Sequence, residues 1–87
     1  MIKVVTVLQP FTLQQNVYVY EDGNKLEAIS VDTVNVQDTI ASLVKEYAAT
    51  EINFGGPIKY AKGIGKKVQE LLIKNFNIND VEIHYLS

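Results

Sequence analysis

Residues 51–76 constrain the fold of this chain more than any other stretch. Glu51-Ile52-Asn53-Phe54 has the apolar character of a short buried strand, and Gly55-Gly56-Pro57 is a tight-turn sequence. From Ile58 to Phe76 the spacing is helical: Ala61, Ile64, Val68, Leu71 and Leu72 form one apolar stripe, with Lys59, Lys62, Lys66, Glu70 and Lys74 roughly opposite. A strand, a turn and a helix N-terminus in that order mark the usual place for a site in an α/β domain. Here, however, no acid, histidine or nucleophilic hydroxyl stands at the turn.

The flanking segments extend the pattern. Ile2 to Leu8 is β-branched and nearly continuous in apolar character, which predicts a central strand covered on both faces. Pro10 ends it, because proline cannot donate to a strand ladder. Phe11 to Gln15 is a loop or the wide mouth of a hairpin. Val17 to Tyr20 alternates, Asp22-Gly23 supplies hairpin-turn residues, and Lys25 to Asp32 returns, with Leu26, Ala28 and Ser30 on one face. Asn35 is placed to cap a first helix, with Asp38 in a capping-box position. Val36, Ile40, Leu43, Val44, Tyr47 and Ala48 then form its apolar stripe. Only Ala49 and Thr50 separate that helix from the strand at Glu51, which implies a right-handed crossover and parallel pairing with the preceding strands. Val81 to Leu86 is a fifth strand after the Asn77-Ile78-Asn79-Asp80 break.

The predicted fold class is therefore α/β, in the order βββαβαβ, with a five-stranded mixed sheet and two helices. That element order resembles a minimal ribonuclease H-like fold extending over residues 1–87 as one domain. Within that fold the chain is similar to the Holliday-junction resolvase branch, akin to the Ruv resolvase. The likeness rests on the opening apolar strand, the Tyr20-Glu21-Asp22-Gly23 hairpin, Ile52-Asn53-Phe54-Gly55-Gly56-Pro57, and Gly65 to Leu72 where the next helix would lie. It implies clustered carboxylates holding two divalent metals against a phosphodiester. These would be an aspartate at the middle of the first strand, an acid near the end of the fourth, and more acids on a later helix. No acid occurs from Met1 to Tyr20, the fourth strand ends in Phe54-Gly55, and the closing acidic helix is not expected before Ser87. Thr6 or Val7 takes the first-strand position, and Glu51 stands at the wrong end of its strand. The nuclease chemistry is thus expected to be missing, with no catalytic residues, no metal ligands and no cofactor.

Composition narrows the remaining classes. With 87 residues the chain buries about 60–65% of its unfolded surface, enough for one marginal core that self-association would enlarge. Apolar content of 47% is globular, and the absence of cysteine removes disulfides and thiolate metal sites. No stretch approaches a membrane span or a secretory leader, which predicts a cytoplasmic protein with no membrane partner. His84, the only histidine, is expected to be a sheet residue without a second zinc ligand. Ser30, His84 and Asp32 could be drawn as a triad, but no strained elbow presents the serine.

Three surfaces remain as candidates. Residues 57–76 hold five lysines and one acid (5 − 1 = +4), whereas the rest of the chain carries three lysines and nine acids (3 − 9 = −6). Gly55, Gly56, Lys59, Lys62, Lys66 and Lys67 could therefore bind an anion or nucleic acid, with Tyr60 stacking, although arginine is absent. The glycines equally permit close approach of the turn to the sheet. Tyr18 and Tyr20 point to one strand face and, with Phe11 beside them, would form an aromatic interface. The expected function is a non-catalytic binding module that self-associates or takes a protein partner. The alternatives are a nucleic-acid binder using the lysine helix, or a metal-dependent nuclease completed by another subunit.

Overall fold

The structure is a computed structural model and describes residues 1–86. Strands β1 (Ile2–Val7), β2 (Gln14–Glu21) and β3 (Asn24–Asp32) form an antiparallel meander. They are followed by α1 (Val36–Tyr47), β4 (Glu51–Gly55), α2 (Ile58–Phe76) and β5 (Glu82–Leu86). The sheet runs in the order β3-β2-β1-β4-β5, so β1 is central, antiparallel to β2 and parallel to β4. This is the five-stranded mixed α/β sheet of a ribonuclease H-like fold.

The turn between β2 and β3 is built as its residues dictate. Asp22 and Gly23 both have positive φ, 50° and 87°, the geometry of a tight primed hairpin. Pairing Val19 with Glu27 and Tyr20 with Lys25 leaves Leu26 as the extra residue of a β-bulge. The Lys25 ammonium consequently lies 5.7 Å from the Tyr18 ring centroid. The meander reaches higher than the alternating run suggested: β2 begins at Gln14, and residues 8–13 form the loop above it.

Three sequence expectations fail for identifiable reasons. The first concerns β1, whose alternate residues Val4 and Thr6 are fully buried while Lys3 and Val7 are exposed. Both crossovers, β3 to β4 and β4 to β5, step along the sheet in the same direction. Right-handedness then puts α1 and α2 on one face and leaves the other open among the described residues. Second, Asn35 makes no side-chain capping bond. It ends a 3-10 turn (Thr33–Asn35) with φ −109° and ψ 2°, and so lacks the extended backbone that aims a cap at the first helical turn. Third, Ala48 is exposed and closes α1 in the left-handed region at φ 53°, so Ala41 and Ala49 complete the buried stripe instead.

The core lies between the sheet's covered face and the two helices. Val4, Val17, Val19, Ile52 and Phe54 from the strands meet Val36, Ile40, Val44, Ala61, Val68 and Leu72 from the helices. Phe54 stacks on Tyr85 of the neighbouring strand at a centroid distance of 5.7 Å. Gly65 sits in the α2 stripe because a Cβ there would fall 2.3 Å from the Tyr85 hydroxyl. At the end of α1, Tyr47 donates its hydroxyl to the Glu27 carboxylate, which pushes the phenol up to about 12. No helix is long and apolar enough to cross a membrane among the described residues.

Candidate functional site

The open face of the sheet is a grid whose rows follow from the strand register. Nearest the amino ends of the parallel strands, Lys3, Glu51 and Glu82 lie side by side. The next row holds Val5, Asn53 and His84, with Tyr18 beside Val5. At the carboxyl ends, Val7, Gly55 and Leu86 form the last row. The face therefore grades from charged, through polar, to apolar.

The apolar character continues past the last row. Val7, Phe11, Leu13, Val34, Ile58 and Leu86 all lie at the carboxyl end of the sheet, and they are six of the nine exposed large hydrophobic side chains among the described residues. Phe11 and Leu13 are nearly fully exposed, at 98% and 89%. Carboxyl ends of parallel strands are where open α/β sheets place their ligands. Here neither β1 nor β4 ends on a carboxylate: Val5 and Val7 face Asn53 and Gly55. Thr6 turns into the core, where its hydroxyl donates to the Asn16 carbonyl at 2.8 Å.

A buried polar side chain presents this surface. Gln15 is 2% exposed. Its Oε1 accepts from the Gln9 N–H at 2.9 Å, while its Nε2 donates to the Gln9 carbonyl at 2.7 Å and to Thr33 Oγ1 at 3.1 Å. The Thr33 hydroxyl in turn donates to the Thr12 carbonyl, and its N–H to the Leu13 carbonyl. The loop carrying Phe11 and Leu13 is thus fastened from below. Gln15 shares the face of Val17 and Val19 by strand alternation, and that was the signal available in the sequence.

The sequence candidates fall in different places. Tyr18 and Tyr20 share the open face, half-buried, with ring centroids 6.4 Å apart. Phe11 does not join them: it precedes β2, whereas Tyr20 pairs with Lys3 near the other end, about 20 Å of strand away. Tyr60 is half-buried against the core, so its ring is not a free platform on the lysine face. Lys59, Lys62, Lys66 and Lys67 are all exposed on α2. Gly55 and Gly56 serve the sheet: the Gly55 carbonyl accepts the Leu8 N–H at 3.0 Å, and Gly56 packs on the Leu8 backbone. Residues far apart in sequence, Glu51, Glu82 and His84, converge with their donor atoms all within 4.8 Å of one another. Only the parallel register of β4 and β5 reveals this set.

The fold class so defined is ribonuclease H-like, the architecture shared with actin-like ATPases, and solved structures agree with it. The chain is similar to a Bacteroides thetaiotaomicron protein with actin-like ATPase fold and unknown function, with a TM-score of 0.69 and 12% identity over 98% of this chain and 32% of that one. It is also similar to the nuclease domain of the large terminase subunit gp2 of bacterial virus Sf6, solved with manganese and beta-thujaplicinol. That likeness has a TM-score of 0.64 and 10% identity over 99% of this chain and 37% of that one. The chain spans about a third of the length of either structure. No family model matches the sequence, and no curated protein matches it.

Proposed function

We propose that this chain is a non-catalytic ribonuclease H-like interaction module that self-associates through the apolar carboxyl end of its sheet. One observation carries the reading: where metal-dependent nucleases of this fold are expected to gather carboxylates, Val7, Gly55 and Leu86 stand in a row, and exposed Phe11, Leu13, Val34 and Ile58 follow the strand ends at the same end of the sheet. Exposed large apolar side chains concentrated at one end of a small domain are what a contact surface would use. The manganese of the Sf6 terminase domain belongs to a nuclease. The β1 and β4 ends of this chain supply aliphatic and amide side chains in place of acids. A small net charge of −2 opposes pairing of like chains only weakly.

Sedimentation equilibrium tests the reading. The chain is expected to run above its monomer mass of 9.7 kDa. Replacing Phe11→Ser together with Leu13→Ser should raise the dissociation constant at least ~10-fold, the equivalent of about 1.4 kcal/mol, through apolar area no longer buried. Since both side chains are exposed in the single chain, its melting temperature should hardly move at concentrations where parent and variant are both monomeric. A monomer at every concentration, or a double variant that associates like the parent, would contradict it. A shift on adding DNA, abolished by replacing Lys59, Lys62 and Lys66 together, would favour nucleic-acid binding instead.

A further inference from the structure

The opposite end of the open face carries a second feature, independent of the apolar contact surface. Glu51 opens β4 and Glu82 opens β5, and the parallel register places them directly side by side. Two residues further along the edge strand, His84 lies on the same face. Like charges side by side on a sheet destabilise it, and although Lys3 is the register neighbour of Glu51, among the described residues no lysine ammonium comes within ion-pair distance of either carboxylate.

The donor geometry offers a reason for this arrangement. His84 Nε2 and Glu82 Oε2 are 3.5 Å apart, too long for a good hydrogen bond. That separation is close to the ~3.3 Å edge between two donors bound at 2.0–2.1 Å to a tetrahedral ion. Asn53 supports one of the three side chains. It is a polar residue only 8% exposed, and its Nδ2 donates to Glu51 Oε2 at 2.8 Å, fixing that carboxylate and leaving its other oxygen free. Hydrogen-bonded support of this kind is what orients metal-ligating carboxylates.

We propose that Glu51, Glu82 and His84 bind one divalent transition-metal ion of the zinc class. Two carboxylates match its charge, and an imidazole nitrogen beside carboxylate oxygens suits zinc better than magnesium or calcium. The three side chains leave a fourth position facing the open side of the sheet. Because the ligands come from β4 and the edge strand β5, the ion also ties that edge to the sheet.

Calorimetric titration of the full chain with zinc ion alone, alongside thermal melts, tests the site. One ion per chain is expected, with a melting temperature raised by ~10 °C or more when zinc is at a hundredfold excess over its dissociation constant. His84→Ala and Glu82→Gln should each weaken binding at least ~10-fold, whereas Asp38→Asn, on α1, should bind as the parent does. His84 and Glu82 side chains are largely exposed, at 49% and 73%, so both variants should retain the fold, checked by circular dichroism. No binding by the parent chain at millimolar zinc, or unchanged binding by His84→Ala, would overturn the proposal.

Discussion

Gly56→Ala is expected to destabilise the chain by about 3 kcal/mol or more, lowering its melting temperature by ~12 °C at least. Two independent costs add at this position. Its φ of 102° is a conformation that side-chain-bearing residues rarely adopt. A Cβ there would lie 2.3 Å from the Leu8 carbonyl oxygen and 3.2 Å from the Leu8 carbonyl carbon and nitrogen, all backbone atoms without rotameric freedom. Relief requires the carboxyl ends of β1 and β4 to separate, which would disturb the Leu8–Gly55 hydrogen bond and move Val7 away from Gly55. Gly23→Ala is the control. Gly23 also has positive φ, 87°, but nothing lies within 4 Å of its Cβ position. It should lose only the conformational part, about 1 kcal/mol. Thermal or urea unfolding of the two variants separates strain from collision. Equal losses would show that the close approach at Leu8 is unimportant.

The second large effect is expected at Gln15. Gln15→Met keeps much of the side-chain volume but removes the amide that holds both the N–H and the carbonyl of Gln9 and also reaches Thr33. Loss of a partner costs about 1–3 kcal/mol for each group that stays buried. The Gln9 groups regain water as the loop loosens, so a total of about 2–4 kcal/mol is expected. The functional consequence is separable from the stability loss. Phe11 and Leu13 would sample many positions, and ordering them on contact would cost additional entropy. Self-association should therefore weaken while amide exchange at Gln9 and Thr33, whose N–H groups are held in this network, accelerates relative to the core. Hydrogen-exchange measurements on parent and variant would test this. Unchanged exchange in the loop would mean that the Thr33-to-Leu13 backbone bond holds it alone.

Much of the scaffold was legible in the sequence because local physics determines it. Asp22-Gly23 demanded a tight hairpin, the two-residue link at Ala49-Thr50 demanded a crossover, and the helical stripes put Ile40, Val44, Ala61, Val68 and Leu72 inside. Side-chain periodicity says less about which sheet face is covered. The run from Ile2 to Leu8 looks buried on both sides, yet Val7 is 59% exposed because both crossovers chose the same face. The proposed contact surface was legible only in part. Phe11 was identified as an aromatic and Leu13 shares its loop, but Val34 and Ile58 come from two other places in the chain and reach the same end of the sheet only through the strand order. The convergence of Glu51, Glu82 and His84 was invisible for a similar reason: it depends on the register between two parallel strands joined by a 19-residue helix. Gln15 could have been found, since it alternates with Val17 and Val19 and so had to point inward.

The carboxyl end of this ribonuclease H-like sheet is the apolar contact surface proposed for self-association. Amide spectra recorded by nuclear magnetic resonance across a dilution series test it residue by residue. Concentration-dependent shifts should concentrate at Val7, Phe11, Leu13, Val34, Ile58 and Leu86, while the Lys62 to Lys74 face of α2 stays still. Spectra identical at every concentration, or shifts confined to the lysine face, would contradict it.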